Sequence, residues 1–295
     1  MCGARSFALE KLPIFAGSTC TPTGGLIRSA HDDMGRHMQS EPLLASDEPA
    51  PVRVLRPDGL SDILLTADHA GRVIPRMLDR LGVPESELAR HIAWDIGIAG
   101  VTERLSAILD ATAVLQTYSR LVIDCNRNPS VPTAMPEVSE MTPIPGNVGL
   151  SAADRAARVA AIFRPYHARI DRLLNERAAA GRSTTYVAMH SFTPSFKGES
   201  RAMHVGVLYH RDIRLAHVLL EVLRSEPDLI VGDNQPYAIT DTSDYGVPVH
   251  AERRGLVHVE IEIRQDLIAD EAGQAAWAAR FARLLPAAIA SLARQ

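Results

Sequence analysis

Short apolar runs alternate with segments of helical spacing along most of the chain. Four of the apolar runs are typical of buried strands: SDILLTA, TTYVAMH, HVGVLYH and LVHVEIEIR. Apolar residues recur at helical period in the segments between and after them: residues 93–109, residues 151 to about 180, DIRLAHVLLEVLRS and the alanine-rich C-terminal segment. Strands that alternate with helices predict a three-layer α/β fold with a site at the carboxyl ends of the strands.

Three local features refine this pattern. Ser151 and Asp154 have the spacing of a capping box, which predicts that a helix begins there. The runs ATAVLQTY and RLVID predict two consecutive strands after the first helix. A proline-rich stretch, residues 128–149, predicts a long loop that lines or covers a pocket.

The N-terminal segment differs from the remainder of the chain. Residues 1–57 are rich in Pro, Gly, Ser and Thr and have no sustained apolar period, which predicts a disordered tail that does not fold by itself. A single domain is expected to follow over residues 58–295. Met34 and Met38 lie inside the tail, so Met1 need not be the translation start.

Composition limits the classes of function. A chain of 295 residues with 46% hydrophobic composition can bury a large core, and its net charge of −4 supplies no basic field for a nucleic acid. No apolar run approaches the roughly 18 residues of a membrane span, and no signal peptide is visible. The three cysteines are too scattered for a disulfide framework. We therefore expect a cytoplasmic enzyme-sized protein without nucleic-acid or membrane partners; its oligomeric state stays open.

Two histidines follow predicted strands directly, His69 in LLTADHAG and His190 in YVAMHSFTP. Neutral imidazole is a common zinc ligand, and a catalytic zinc site combines three protein ligands with an open position. Asp95 in HIAWDIG is the leading third ligand, and Asp68 is a weaker one. The alternatives are histidines that only hydrogen-bond a loop and an Asp95 that only stabilises a helix N-terminus.

The string DCNRNP places an amide and a guanidinium at the end of an apolar run. Asn126 and Arg127 have the donors to bind a substrate carboxylate. An ion pair between Arg127 and Asp124 would explain the same residues structurally. Arg120, at the start of the run, is a candidate to stabilise an oxyanion or an ordinary ion-pair residue.

Alternation in LVHVEIEIR places Glu262 between apolar neighbours, where an unpaired carboxylate would be costly. Glu262 is therefore a candidate general base for a metal-activated water, with Glu260 as the competing acid. A salt bridge to Arg264 or Arg127 is the structural alternative. Cys125 is a weaker candidate nucleophile, because no feature beside it signals a histidine base.

Five strings in this order resemble the N-formylglutamate amidohydrolase family: TADHAGRVIP, SRLVIDCNRNP, HSFTP, VGVLYHRDIRLA and HAERRGLVHVEIEIRQDLI. The resemblance covers residues 62–267. It implies a mixed sheet flanked by helices, like that of zinc carboxypeptidases and aspartoacylases (a phosphorylase/hydrolase-like fold), and a single amidohydrolase domain. It also implies one Zn²⁺ per chain, held at the strand ends.

By the same resemblance His69 and His190 are zinc ligands, Asn126 and Arg127 bind the substrate carboxylate, and Glu262 is the general base. The chain departs from the carboxypeptidase pattern at one position. Those enzymes carry a ligand glutamate three residues after the first histidine, where this chain has Arg72. The third ligand is therefore unsettled by the resemblance, and Asp95 remains a hypothesis.

The implied substrate is a small acidic acyl-amino acid, N-formyl-L-glutamate, which would give formate and glutamate. His250 and Tyr245, in the loop before the last predicted strand, are further candidate substrate contacts or ordinary loop residues. Two other functions stay open. One is hydrolysis of another acyl-amino acid or a cell-wall peptide, and the other is ligand binding without catalysis, which the missing glutamate would favour.

Overall fold

A computed structural model describes residues 42–292 and residue 294 of the chain. Its strands are β1 (Val52–Leu55), β2 (Ile63–Ala67), β3 (Thr112–Gln116), β4 (Val138–Ser139), β5 (Thr142–Pro143), β6 (Thr185–Phe192), β7 (Ser195–Phe196), β8 (Glu199–Ser200), β9 (Val205–Leu208), β10 (Val231–Asp233) and β11 (Val257–Arg264). Its α-helices are α1 (Glu85–Leu88), α2 (Ile98–Leu109), α3 (Ala152–Arg158), α4 (Arg164–Ala179), α5 (Arg214–Arg224) and α6 (Glu271–Leu292). A π-helical turn, Val159–Phe163, joins α3 to α4.

Seven strands form one mixed sheet in the order β1-β3-β2-β6-β11-β9-β10. The four central strands β3, β2, β6 and β11 run parallel, whereas β1 is antiparallel to β3, and β9 is antiparallel to β11. The apolar runs of β2 and β6 are buried along their whole length, as expected for parallel strands covered on both faces. Parallel neighbours bring the carboxyl ends of β2, β6 and β11 to one edge of the sheet.

Each face of the sheet carries its own apolar layer. Helices α2, α5 and α6 pack on one face, through side chains such as Leu105, Leu219 and Phe281. Helix α4 packs on the other, through Tyr166 and Ile170. The predicted three-layer fold with a mixed sheet is therefore confirmed. Within residues 42–292, no helix has the length and apolar character needed to cross a bilayer.

Strand β1 lies inside the segment predicted as a tail. It pairs antiparallel with β3 at the edge of the sheet, so residues 52–55 belong to the folded domain. The alternating side chains of VRVL are only partly buried, which is why the segment lacks a clear apolar signal. The predicted tail over residues 1–41 lies outside the described residues.

The run RLVID is not a strand, and the prediction of one there was wrong. Residues 120–122 form a turn, closed by a hydrogen bond from the Val122 amide to the Ser119 carbonyl. Leu121, Val122 and Ile123 are buried in the layer on the α4 side. An apolar run indicates that its side chains are buried, but it does not show that they belong to a strand. Here the buried apolar side chains belong to a loop. Arg120 therefore lies in a turn.

Arg158 fixes this buried turn to the proline-rich loop. Its side chain is only 2% exposed, and it donates hydrogen bonds to the carbonyls of Val122 and Gly146 at 3.0 Å and to Asn147 Oδ1 at 2.6 Å. The Asn147 amide nitrogen donates in turn to the carbonyl of Leu121 at 2.9 Å. Burial lowers the pKa of Arg158 to about 10, which leaves it charged at neutral pH. The predicted helix start is also confirmed, because Ser151 and Asp154 form a reciprocal capping box.

Replacing Arg158 by Met should destabilise the protein by about 3 kcal/mol, because three buried acceptors lose their donor. Urea unfolding followed by circular dichroism measures the change. Arg164→Met is the matched control, since Arg164 lies on the same helical run with its side chain exposed, and its effect should stay within about 0.5 kcal/mol. Equal midpoints for the two variants would contradict the anchoring role.

Candidate active site

A cleft of about 540 Å³ opens at the sheet edge where β2, β6 and β11 end. His69 follows β2, His190 lies near the end of β6, and Glu262 lies near the end of β11. All three line the cleft. The proline-rich loop also lines it, through Val138 and Glu140 among others, as predicted from the sequence.

Three buried side chains converge on one point of the cleft. Asp95 Oδ2 lies 3.0 Å from His190 Nδ1 and 3.5 Å from His69 Nδ1. A ligand atom from each of the three residues lies within 4.8 Å of the others. The structure thus brings together the three residues that the sequence suggested as metal ligands.

The His69 imidazole is oriented from its far side. Nε2 of His69 lies 2.8 Å from Asp124 Oδ1, and since a carboxylate can only accept, Nε2 carries the proton. In the neutral ring the lone pair of Nδ1 then faces the Asp95 carboxylate, and Nδ1 has no hydrogen-bond partner among the described residues. Asp95 Oδ2 also accepts from the Ser191 amide at 3.1 Å, and an unpartnered ring nitrogen beside such a buried carboxylate suits a cation or a proton. The donor set of two imidazoles and one carboxylate fits Zn²⁺, with Asp124 as the outer carboxylate that orients a ligand histidine.

The electrostatics of the two carboxylates at the site, Asp95 and Asp124, agree with a bound cation. Burial disfavours the carboxylate of Asp95, but His69 and His190 outweigh it and hold the pKa of Asp95 well below its usual range. Burial likewise opposes ionisation of Asp124, and Arg120 and His69 outweigh it, so its pKa is also lowered. Both carboxylates are therefore ionised at neutral pH.

Arg120 is tied to the same carboxylates. Its Nε and one terminal nitrogen donate to Asp124 Oδ2 at 3.1 and 2.7 Å, and its other terminal nitrogen lies 3.5 Å from Asp95 Oδ1. The side chain lines the cleft. Arg120 is thus an ion-pair residue whose guanidinium also lines the cleft, and its role in stabilising an oxyanion stays a prediction.

Glu262 lies beside His190 in the register of β11 with β6, and both side chains reach the cleft. Its carboxyl group is buried, and Oε2 has no hydrogen-bond partner among the described residues. Burial raises the pKa of Glu262 to about 7, with His190 acting in the opposite direction. The ion pair with Arg264 considered from the sequence is absent, because Arg264 Nε pairs with Asp266 Oδ1 at 2.8 Å.

Glu260 reaches the same cleft two residues earlier on the same face of β11. It is also buried, its Oε2 has no partner among the described residues, and burial raises its pKa well above the usual range. The sequence presented Glu260 only as a competitor to Glu262. Since side chains alternate along a strand, a pair of acids at i and i+2 was the signal that both enter one site.

Asn126 and Arg127 follow Asp124 but have different surroundings. The Asn126 side chain is committed to the following loop: its Oδ1 accepts from the amides of Tyr245 and Gly246 at 2.9 Å, and its Nδ2 donates to Asp244 at 3.0 Å. Asn126 therefore holds the wall of the cleft that it also lines. Because Nδ2 carries two hydrogens and only one is used, the predicted contact of Asn126 with a substrate carboxylate stays a prediction.

Arg127 remains open to the cleft. Its side chain is 25% exposed, and the nearest carboxylate oxygen, of Asp244, lies 3.9 Å away. The structural pairing of Arg127 with Asp124 is not observed, since Asp124 is occupied by His69 and Arg120. Arg127 is thus the cleft guanidinium that is least engaged with protein carboxylates.

His250 and Tyr245 were predicted to contact the substrate, but neither side chain reaches the cleft. His250 is 0% exposed, with Nε2 at 2.8 Å from His167 Nδ1 and Nδ1 at 3.1 Å from Asp171 Oδ1. Tyr245 packs against the rings of Phe163 and His167. Neither lines the cleft, because these two side chains point towards α4 and the π-helical turn before it.

Cys125 also lacks the surroundings of a nucleophile. It is fully buried, and burial raises the pKa of its thiol well above the usual range. Its sulfur accepts a hydrogen bond from Gln116 Nε2 at 3.2 Å. Cys125 is a packing residue beneath the cleft.

Comparison with known proteins places the chain in a family. The sequence model of the N-formylglutamate amidohydrolase family matches residues 61–269. The chain belongs to the N-formylglutamate amidohydrolase family. This membership makes the chain an amidohydrolase by family, and the cleft at the strand ends lies within the matched residues.

Two solved structures resemble this N-formylglutamate amidohydrolase family member. A gene product of Agrobacterium tumefaciens is 40% identical, with a TM-score of 0.82 over 85% of this chain and 99% of its own. The N-formylglutamate amidohydrolase of Ralstonia eutropha JMP134 is 19% identical, with a TM-score of 0.62 over 81% of this chain and 97% of its own, and it shows the shared fold. No curated protein matches the sequence.

Replacing Asp124 by Asn should weaken zinc binding about 10- to 100-fold, because the His69 imidazole loses the carboxylate that orients it. Titration of the metal-free protein against a competing zinc chelator measures the affinity. Asp228→Asn is the matched control, since Asp228 pairs with Arg280 outside the cleft. An affinity unchanged in the Asp124 variant would contradict this orientation role.

Proposed function

We propose that this protein uses one zinc ion per chain to hydrolyse an N-acyl amino acid, converting N-formyl-L-glutamate to formate and L-glutamate. One observation carries the proposal. A buried cluster of His69, Asp95 and His190, whose possible ligand atoms lie within 4.8 Å of one another, shares a cleft with Glu262, whose buried Oε2 has no hydrogen-bond partner among the described residues. A metal site beside a free carboxyl group is the donor set for activating water towards an amide.

His69, Asp95 and His190 would hold the zinc ion. When bound, zinc would supply Lewis-acid chemistry, polarising the acyl carbonyl and making water acidic near neutral pH. The site does not need a glutamate at position 72, because Asp95 supplies the carboxylate from another part of the chain. Arg72 is 51% exposed and pairs with Glu85, away from the site. This arrangement supports a catalytic rather than a purely ligand-binding protein.

Glu262 moves the proton. Its carboxylate takes a proton from the attacking water at Oε2 and passes it to the nitrogen of the leaving amino acid. A pKa of about 7 suits both steps, because the group then accepts and returns a proton with little penalty near neutral pH.

Two guanidinium groups complete the proposed reaction. Arg127 binds the α-carboxylate of the amino acid, for which its planar fork of donors is suited. Arg120 presents positive charge beside Asp95 and stabilises the negative charge that develops on the acyl oxygen. Asn126 holds the loop at residues 244–246 that carries the adjacent wall, and its remaining amide hydrogen is available to the same carboxylate.

The Glu262→Gln variant should lose about 10³-fold or more in turnover while still binding zinc, because the amide cannot accept the proton of water. Formate release from N-formyl-L-glutamate, together with metal analysis of the same preparation, measures both properties. Glu260→Gln is the comparison, and it should retain more activity than Glu262→Gln. An active Glu262→Gln enzyme would remove Glu262 as the base.

Metal removal gives a separate test. The purified protein should contain about one zinc per chain, and a chelator should abolish formate release until zinc is restored. Metal analysis and the formate assay before and after chelation measure this dependence. Release that continues in metal-free protein would contradict the zinc requirement.

A further inference from the structure

Arg201 lies against three aromatic side chains that line the cleft. Its guanidinium carbon is 4.9 Å from the ring centres of both Phe196 and Tyr237 and 5.9 Å from that of Phe192. One terminal nitrogen donates to the Tyr237 hydroxyl at 2.9 Å. These contacts hold the planar group beside the cleft, since all three rings belong to the cleft wall.

The Arg201 guanidinium has no carboxylate partner in the described part of the chain. Neither the hydrogen bonds nor the ion pairs of residues 42–292 give it one, and the Tyr237 hydroxyl is its side-chain acceptor. A guanidinium carries five N–H donors, so most of its donor capacity remains free. The main chain of Arg201 is fixed, because its amide donates to the Pro194 carbonyl at 2.8 Å, and its carbonyl accepts from Arg264.

Arg120 and Arg127, the arginines of the described chain that line the cleft, already have roles. Arg120 is bound to Asp124, and Arg127 is assigned to the α-carboxylate in the proposed function. A substrate with a second carboxylate would meet buried acids at Glu260 and Glu262 unless a further cation received it. Arg201 is not itself a lining residue, but its guanidinium is held against the aromatic rings that form the cleft wall.

We propose that Arg201 binds the side-chain carboxylate of the substrate and thereby selects acyl derivatives of acidic amino acids over neutral ones. This inference rests on the proposed hydrolysis of acyl-amino acids and names the residue that sets their class. The aromatic rings hold the guanidinium in place and leave its positive charge available. A carboxylate partner would instead neutralise that charge. If Arg201 had a purely structural role, replacing it would change the activity on the acidic substrate and on its neutral amide to the same extent.

The test compares N-formyl-L-glutamate with N-formyl-L-glutamine, which has nearly the same shape but no side-chain charge. The wild-type enzyme should prefer the acid by roughly 100-fold in kcat/KM, the value of a charge-assisted pair of hydrogen bonds. In the Arg201→Gln variant, kcat/KM for the acid should fall to the level of the amide, whereas kcat/KM for the amide should change by less than about threefold. Arg201→Lys should lose about tenfold on the acid, since it keeps the charge but not the fork.

Arg280→Gln is the matched control. Arg280 also stacks on an aromatic ring, that of Trp277 at 5.3 Å, but lies outside the cleft. This variant should keep the wild-type preference, and thermal unfolding of every variant reports any loss of folding. Two results would overturn the role of Arg201 while leaving the proposed hydrolysis intact. One is equal kcat/KM of the wild-type enzyme for both substrates, and the other is an equal fall in kcat/KM for both substrates in the Arg201→Gln variant.

Calorimetric binding of the product separates the two proposals. L-glutamate should bind the zinc-loaded wild-type protein more tightly than L-glutamine, and Arg201→Gln should abolish the difference. If no formyl amino acid is hydrolysed but this difference is seen, the hydrolysis proposal fails and the recognition role of Arg201 stands. If glutamate and glutamine bind equally, the role of Arg201 is wrong whatever the activity.

Discussion

The carboxylate of Asp124 is the contact on which the cleft depends. It accepts from His69 after β2, from Arg120 in the buried turn, and from the main-chain amide of Asn126 at 2.9 Å. The segment after β2 and the segment of residues 120–126 are thereby fixed to one buried charge, and these donors stabilise that charge in the interior. The orientation of His69 and the path of the chain through Asn126 both follow from this one group.

A second hydrogen-bond network supports the residues next to Asp124 from the side of α4. The Cys125 carbonyl lies 2.9 Å from His167 Nε2 and can only accept, so Nε2 carries a proton and Nδ1 of the neutral ring accepts from His250. Asp171 accepts from the other nitrogen of His250. Burial and the neighbouring His250 lower the pKa of His167 well below its usual range, which agrees with the neutral ring. His250 is thus an interior support for the residues that surround Asp124, and not a substrate contact.

The sequence predicts the parts of the site that depend on local periodicity. His69 and His190 follow strongly apolar strands, and Glu262 belongs to an alternating run, so their place at the strand ends can be read from local pattern. The partners of Asn126 and His250 lie about 120 and 80 residues away in the chain, and no local pattern specifies such contacts. The buried turn at RLVID was misread for a related reason: its apolar side chains report burial, whereas strand pairing depends on distant residues.

Two short hairpins limit what can occupy the cleft. Glu140, next to the β4–β5 turn, accepts from the amide of Lys197 in the β7–β8 turn at 3.2 Å and also pairs with Arg90. The hairpins therefore meet over one side of a cavity of about 540 Å³, a size typical of sites for small molecules. Phe196 of the second hairpin also packs on Arg201. The hairpin that borders the cleft therefore also holds the arginine that is proposed to bind the substrate side chain. This arrangement supports the proposal that the substrate is a small acidic acyl-amino acid.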